Sequence, residues 1–240
     1  MLVSIIACTN KLGVLDFIIA NFNKQTYKEK ELLIILGHKE QGEHLEELKQ
    51  EYETENIKLY YYDDKEYNLG YCLNEGVRLS KGDLISKMDD DDYYSKVYLE
   101  NAIKHHLISK ADISGLSQFT TYIKEWNYLG LSKDSKQKCF IEIPQYLIGG
   151  TFIINRNVFD SLSFRVEDWK AGTDDMIFCF DAILKGFRLF SRANRDYMYV
   201  RTIDLSKHTN KNPNENIRNA MQQIDMSIYY QRLIDEYTKS

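Results

Sequence analysis

The chain is poor in the residues and patterns that mark linkers, disulfide frameworks and nucleic-acid binding. Its 240 residues include two prolines and no low-complexity tract, so we expect one compact unit without a flexible linker. The four cysteines lie far apart and form no CxxC pair, which favours reduced thiols in a cytosolic protein over disulfides or zinc ligands. No basic tract stands out at a net charge of −5, so nucleic acid is not an expected partner.

Long apolar runs are also missing. The N-terminal MLVSIIACTN is too short and lacks the basic start of a signal peptide. The run YLIGGTFII is far shorter than a membrane span and contains glycines. We therefore expect a soluble, cytoplasmic protein, while peripheral contact with a membrane or a partner protein stays open, as does the oligomeric state.

What the sequence does contain is a regular alternation in its first part. Apolar, β-branched runs predict buried strands over residues 2–8, 31–36, 57–62 and 83–88. Helical spacing or polar composition predicts helices between them, within residues 14–23, 42–53 and 68–82. This rhythm implies a parallel sheet with crossover helices, in which ligands gather at the carboxyl ends of the strands.

The second half is less regular. Residues 97–108 predict a helix, whereas residues 109–145 show no interpretable pattern. A loop, a strand and a short helix are expected over 149–162, and a helix, a cap at Gly186 and a strand over 172–190. From Asn212 onward, apolar residues at near-helical spacing predict one docked amphipathic helix.

The most unusual feature is a run of four aspartates, Asp89–Asp92, directly after the fourth predicted strand. One interpretation is a solvated turn whose aspartates cap the helix near Tyr94. The other is a divalent metal site, because Mg²⁺ and Mn²⁺ prefer carboxylate oxygens and would relieve the repulsion within the run. On an extended chain Asp89 and Asp91 would face one side and their neighbours the other. The position at a strand end favours the metal.

A second acidic pair, Asp174 and Asp175, begins an apolar helical pattern. Such a pair can cap a helix and favour its dipole.

Several motifs, taken in order, resemble the family-2 glycosyltransferases of the GT-A fold: VSIIACTN, NKQTY, ELLIIL, NLGYCLNEGV, KGDLISKMDDDD, GGTFIINR and GTDDMIFCFDAILKGFRL. The resemblance implies an α/β protein with a Rossmann-like, mostly parallel sheet in a single domain over residues 1–210. Residues 1–95 would form the nucleotide-sugar-binding half and residues 96–210 the acceptor-binding half. Residues 211–240 would add a helical extension packed on this domain.

The same resemblance implies the site residues. The DxD pair Asp89 and Asp91, with His208, would hold Mn²⁺ or Mg²⁺. Asp175 would be the catalytic base with Asp174 beside it, and the turn Gly149, Gly150 and Thr151 would face the acceptor. The expected nucleotide-sugar contacts are Thr9, Asn10, His38, Asp64, Asn68, Asp89 and Asp90.

One departure from the family pattern concerns the donor. The aspartate that usually follows the second strand and reads the base is absent, and Gly37 and His38 stand there instead. A UDP-sugar is therefore only the default donor. The resemblance implies a metal-dependent, inverting transferase of hexosyltransferase type that acts on a hydroxyl acceptor in glycan or cell-surface polysaccharide synthesis. A non-catalytic nucleotide-sugar-binding module is the alternative. A sugar nucleotidyltransferase is less favoured, because CTNKLGVLD is not a glycine-rich basic loop.

Overall fold

The N-terminal part alternates strands and helices, as the sequence predicts. The computed structural model describes residues 1–62, 68–133, 137–166, 174–193, 196–204, 213–224 and 228–238. The strands here are β1 (Val3–Thr9), β2 (Lys30–Leu36), β3 (Ile57–Tyr61) and β4 (Leu84–Lys87). The helices are α1 (Leu15–Asn23), α2 (Lys39–Glu43), α3 (Leu45–Tyr52) and α4 (Leu69–Leu79). The polar region after Gly37 thus forms two helices, where one was predicted.

The second half adds short strands to this framework and builds a second sheet. Its strands are β5 (Tyr93–Tyr94), β6 (Ile113–Gly115), β7 (Thr120–Ile123), β8 (Tyr128–Ser132), β9 (Cys139–Phe140), β10 (Ile153–Asn155), β11 (Leu189–Ser191), β12 (Tyr197–Arg201) and β13 (Met221–Gln223). Its helices are α5 (Tyr98–Ser109), α6 (Asp174–Leu184), α7 (Asn214–Asn219) and α8 (Ile228–Thr238). Short 3₁₀ turns cover Lys124–Trp126, Gly149–Thr151 and Arg156–Asp160.

The larger sheet is mostly parallel. Within the described residues its order is β3-β2-β1-β4-β10-β6-β11-β9. Strand β10 is antiparallel to both β4 and β6, so β6 runs in the same direction as β4, and β11 is parallel to β6. The carboxyl ends of β1, β4, β6 and β11 therefore lie at one edge, together with the start of β10. In open α/β sheets this is the edge where ligands bind.

Both faces of the larger sheet are buried, which explains the continuous apolar runs of its central strands. On one face Ile5 of β1 belongs to a core cluster with Ile18 of α1 and Leu99 of α5. On the other face Ile6 belongs to a cluster with Leu73 of α4 and Phe178 of α6. All four cysteines are free, in agreement with the predicted reduced thiols.

The second sheet includes β7 and β8, which lie within residues 109–145, where the sequence showed no pattern. Its order over the described residues is β13-β8-β7-β12-β5. Strands β7 and β8 form an antiparallel hairpin whose connection places Asn127 in the left-handed region, at φ 43°. All four residues of β7 are buried, so the polar–apolar alternation of a half-exposed strand is missing.

The prediction of one helix after Asn212 was wrong, because the segment forms α7, β13 and α8. Strand β13 pairs antiparallel with β8, and Met221 packs in a cluster with Ile217 and Tyr128. Leu233 of α8 packs with a separate group around Tyr93. The near-helical spacing arose because two short helices and a strand each bury apolar residues. No helix within the described part of the chain is long and apolar enough to cross a membrane.

Candidate active site

The predicted acidic residues meet at the carboxyl edge of the larger sheet. Thr9 ends β1, and Asp89 lies just beyond the last residue of β4. The turn Gly149–Thr151 precedes β10, whose antiparallel direction brings the turn to the same edge. The amino end of α6, with Asp174 and Asp175, reaches this turn from one face of the sheet.

Asp90 and Asp91 share one lysine. The Lys11 ammonium lies 2.7 Å from Asp90 Oδ1 and 2.9 Å from Asp91 Oδ2. Thr9 Oγ1 donates a hydrogen bond of 2.5 Å to the other oxygen of Asp90. Burial alone would lower the pKa of Lys11, but the two carboxylates outweigh it and raise that pKa. Burial and the neighbouring Asp91 raise the pKa of Asp90, while Lys11 opposes the rise. The end of β1 thus supplies a fixed positive charge to this pair.

Asp89 has a different cation. The Lys87 ammonium, from the last residue of β4, lies 2.5 Å from Asp89 Oδ1 and 4.0 Å from Asp175 Oδ1. The Lys87 side chain is only 7% exposed. Burial would lower its pKa, but the charges of Asp89, Asp175 and Asp174 outweigh burial and raise it. Lys87 therefore remains an ammonium and links the aspartate run to the second acidic pair.

Asp175 is held against the glycine turn. Its Oδ2 accepts a hydrogen bond of 2.6 Å from the Gly149 amide. Leu147 donates its amide to Cys179 Sγ at 3.4 Å, which fixes the next turn of α6 against the same loop. Burial raises the pKa of Asp175 to about 8, while Lys87 opposes the rise. One quarter of the side chain, 25%, remains exposed, so this carboxyl can still reach a ligand.

The two glycines make the close approach possible. A Cβ at Gly149 would clash with the Asp175 carboxylate, and one at Gly150 would lie 2.5 Å from Asp89 Oδ2. Tyr94 ties the same elements together, because its hydroxyl accepts from the Asp89 amide at 2.7 Å and donates to the Gly150 carbonyl at 2.8 Å. The turn therefore contacts both acidic groups.

Asp92 is bonded to the second sheet and does not face the ligand edge. Its side chain is fully buried, and its carboxylate accepts from Tyr197 Oη at 2.5 Å and from the Val200 amide at 3.1 Å. Burial and the charges of Asp91 and Asp89 raise its pKa well above the usual range. The predicted alternation of faces was wrong: the chain bends at Asp90 and Asp91, and both reach the same lysine.

The remaining predicted contacts separate into three groups. His38 and Asn68 cap helices, because His38 Nδ1 accepts from the Glu40 amide and Asn68 Oδ1 from the Tyr71 amide. Asn10 is exposed next to Thr9 at the end of β1, and Thr151 is buried in the glycine turn. Asp64 and His208 lie outside the described residues. The helix caps explain His38 and Asn68 without a ligand.

Sequence reasoning missed Lys11, Lys87 and Tyr94. The available signal for Lys87 was its position near the end of the apolar run DLISKM. A lysine there is buried only when it has a partner of opposite charge. Lys11 follows Thr9 and Asn10 in the first strand-end loop. Its two partners lie at sequence separations of 79 and 80, which no local pattern reports.

A divalent cation fits the chemistry of this edge. Over the described residues, no three His, Cys, Asp or Glu side chains are grouped as a complete metal site. Mg²⁺, however, is usually held by one or two carboxylates and completes its shell with water and substrate phosphates. Asp89 and Asp91 are 33% and 28% exposed, so both offer accessible oxygens.

Comparison with known proteins agrees with this architecture. The family described as Glycosyl transferase family 2 matches residues 4–178. No curated protein matches the chain.

Several solved structures share the fold. S. aureus TarS 1–349 in complex with UDP-GlcNAc has a TM-score of 0.60 at 18% identity, over 84% of this chain and 59% of that one. The UDP complex of the same TarS fragment has a TM-score of 0.61 at 17% identity, over 85% and 61%. The mannosyltransferase PcManGT from Pyrobaculum calidifontis, in complex with GDP-Man and Mn²⁺, has a TM-score of 0.60 at 14% identity, over 86% and 57%.

The chain thus spans less than two thirds of each of these structures, and at such identities the likeness shows the fold alone. The family match is of another kind, because it runs from β1 into α6 and includes both acidic groups. The chain belongs to glycosyl transferase family 2.

Proposed function

We propose that the chain is a metal-dependent, inverting glycosyltransferase that moves a sugar from a nucleotide-diphospho-sugar to a hydroxyl acceptor. The observation that carries this proposal is the position of Asp175. Its carboxyl is partly exposed at the ligand edge, lies against the Gly149 amide, and is linked through Lys87 to the aspartate run. A base and a donor-binding group therefore lie side by side, as a single displacement requires.

The donor would bind along the ends of β1 and β4. Asp91 and Asp89 are the residues that would hold Mn²⁺ or Mg²⁺; Lys11 contacts Asp91 Oδ2, and Lys87 contacts Asp89 Oδ1. A bound divalent cation acts as a Lewis acid that neutralises the charge of the leaving diphosphate. A UDP-sugar remains the default donor, supported by the TarS complexes with UDP-GlcNAc and UDP. The GDP-Man complex of PcManGT makes a GDP-sugar a second donor to test.

Asp175 acts on the acceptor in this mechanism. Its carboxylate takes the proton of the acceptor hydroxyl as the new bond from that oxygen to the anomeric carbon forms. The bond between the anomeric carbon and the diphosphate oxygen breaks on the opposite side, and the nucleoside diphosphate leaves with the electron pair. Lys87 keeps a positive charge beside the base and favours its ionised form. Asp174, the first residue of α6, has the lesser role of orienting Asp175 or the acceptor.

The test is a nucleotide-sugar screen followed by two matched variants. Donor binding and nucleotide release are measured with Mn²⁺, with Mg²⁺ and with EDTA, for wild type, Asp175→Asn and Asp174→Asn. General-base catalysis contributes about a hundred- to ten-thousand-fold, so Asp175→Asn should lose turnover on that scale and keep donor affinity. Asp174→Asn should lose less.

Three outcomes would count against the proposal. An Asp175→Asn variant with normal turnover would remove the base. Equal donor affinity in EDTA and in Mn²⁺ would remove the metal. Tight donor binding by the wild type without release of nucleotide, across a panel of hydroxyl acceptors, would favour a binding module of the same fold.

A further inference from the structure

A separate cavity of about 220 Å³ lies on the α5 side of the larger sheet. Helix α5 contributes Tyr98, Asn101 and His105 to its lining. Leu116 follows the end of β6, and Arg192 follows the end of β11. The cavity therefore opens at the same carboxyl edge as the acidic residues, next to the turn that precedes β10. None of the lining residues that the structure describes is one assigned to the donor or to catalysis.

Arg192 is a buried cation in the lining of this cavity. It is 3% exposed, and one terminal nitrogen donates to the Thr151 carbonyl at 2.5 Å and to the Tyr98 hydroxyl at 3.3 Å. Its Nε is buried and has no hydrogen-bond partner within the described residues. An unsatisfied buried donor costs about 1–3 kcal/mol, and more when it is charged. Native proteins seldom leave such a donor without water, an ion or a ligand.

The other charges of the lining fit an anion. Lys138 contributes an exposed ammonium, and His105 a half-buried imidazole whose ring N–H can donate a hydrogen bond. Among the lining residues that the structure describes, the one acidic side chain is Asp196, which already accepts hydrogen bonds from Asn101 Nδ2 at 2.7 Å and from Ser95 Oγ at 3.1 Å. Over the described lining residues, the positive charges of Arg192 and Lys138 therefore outweigh a carboxylate that has its own donors.

We propose that this cavity is a binding site for a phosphoryl group carried by a small organic molecule or by the acceptor. The Arg guanidinium presents a planar set of donors that matches the oxygens of a phosphate. The cavity is several times the ~30 Å³ share of one water molecule, so it has room for a phosphoryl group with a substituent. The site itself stands without the proposed reaction. Only its assignment to the acceptor rests on the proposed function.

The link to the reaction runs through the glycine turn. Arg192 holds the carbonyl of Thr151, and Thr151 is the neighbour of Gly150, which contacts Asp89. A phosphoryl group bound to Arg192 would thus lie on the other side of the Gly149–Thr151 turn from the proposed base, Asp175. An acceptor bound there by its phosphate would extend along the edge towards Asp175.

The experiment measures binding of two probes, inorganic phosphate and glycerol 3-phosphate, to the full chain in EDTA by calorimetry. The Arg Nε–H signals of ¹⁵N-labelled protein are followed in the same titrations. Arg192→Lys keeps the charge and removes Nε, and Lys138→Ala removes the exposed charge of the lining. Lys185→Ala, directly after the end of α6, is a matched control that does not line the cavity. The wild type should bind a probe and shift one Nε–H signal, which Arg192→Lys lacks. Arg192→Lys should weaken binding about tenfold or more and Lys138→Ala severalfold, while Lys185→Ala stays normal.

The outcomes separate the possibilities. Tighter binding of glycerol 3-phosphate supports a phosphoryl group on an organic carrier, and competition with the acceptor in a transfer assay assigns the carrier to the acceptor. Binding of inorganic phosphate alone would overturn the organic carrier. No binding of either probe, or equal binding by wild type and Lys138→Ala, would overturn the site even if Arg192→Lys fails to fold. UDP titrations of the same samples report on the donor site, so failure there would count against the transferase and leave this site standing.

Discussion

The buried ammonium of Lys87 should set the pKa of the proposed base, and replacing it gives a quantitative test. Lys87→Met keeps a side chain of similar length and removes the charge that lies 4.0 Å from Asp175 Oδ1. At an effective dielectric constant of about 20, two unit charges at about 4 Å interact by roughly 4 kcal/mol, or about three pKa units. Asp175 is 25% exposed, which screens this interaction. The pKa of Asp175 is raised to about 8 in the wild type. In Lys87→Met we expect this pKa to rise further, by roughly one to two units.

The pKa can be measured without any substrate. Carboxyl ¹³C signals of labelled aspartate are followed from pH 5 to 11, and the Asp175 signal is assigned by its absence in Asp175→Asn. Once a donor is identified, turnover against pH should show the same displacement: activity lost at neutral pH and recovered in alkali. A carboxylate base works when ionised, so a higher pKa moves the rising limb of the profile to higher pH.

Two control variants test whether the pKa of Asp175 follows the charges around it. Lys87→Arg keeps the positive charge and should leave the pKa of Asp175 close to that of the wild type. Asp89→Asn removes a negative charge that raises the pKa of Asp175, so it should shift that pKa downward. Removing one partner of a buried ion pair costs about 3–5 kcal/mol, so urea unfolding must first show that Lys87→Met is folded. A folded Lys87→Met with an unchanged Asp175 pKa would refute the electrostatic link.

Three further predictions concern the glycine turn, the metal and pH. Gly150→Ala places a Cβ 2.5 Å from Asp89 Oδ2 and should displace that carboxylate. UDP affinity, measured by calorimetry with Mn²⁺, should then fall by about tenfold if one charge-assisted contact is lost, and an unchanged affinity would contradict this prediction. Lys11→Met frees an oxygen of Asp91 and should tighten Mn²⁺ binding in electron paramagnetic resonance titrations without nucleotide, whereas weaker binding would show that Lys11 supports the metal. The pKa of Asp175 is raised from about 4 in the unfolded chain to about 8, so its stabilising effect is fully present below pH ~4 and lost as pH rises to 8. Urea unfolding of Asp175→Asn should lack that decline, and parallel pH profiles for both proteins would contradict the shifted pKa.

The half of the fold that the sequence predicts best is the half whose strands are buried on both faces. β1 and β2 show continuous apolar runs because helices cover both sides of the sheet, and the runs end where the strands end. The second sheet left no comparable signal, because β5 has two residues and β13 has three. Strands this short are defined by pairing with distant partners, which composition does not report.

The site was predictable in its position and less so in its contacts. Strand ends indicated where Thr9 and Asp89 would lie, since the carboxyl ends of parallel strands share an edge. The contact between Asp175 and Gly149 joins residues 26 apart in sequence; the resemblance implied a role towards the acceptor for each residue but did not predict this contact. His38 and Asn68 were placed near the donor by motif, whereas the structure gives their side chains to helix caps.

Four consecutive carboxylates pose an electrostatic problem, and the structure answers it without a metal. Asp89 pairs with Lys87, Asp90 and Asp91 pair with Lys11, and Asp92 is held by Tyr197 and a backbone amide. Every acid of the run thus has a partner, with Lys11 shared by two of them, so repulsion within the run is relieved by groups that belong to the fold. The run is therefore not a liability that needs a cation in order to fold. A divalent cation that binds Asp91 has to share that carboxylate with the Lys11 ammonium or displace it. The affinity for the cation should therefore depend on whether an anionic ligand binds at the same time. The diphosphate of a donor brings negative charge for both cations, so metal and nucleotide should bind this edge more tightly together than either does alone.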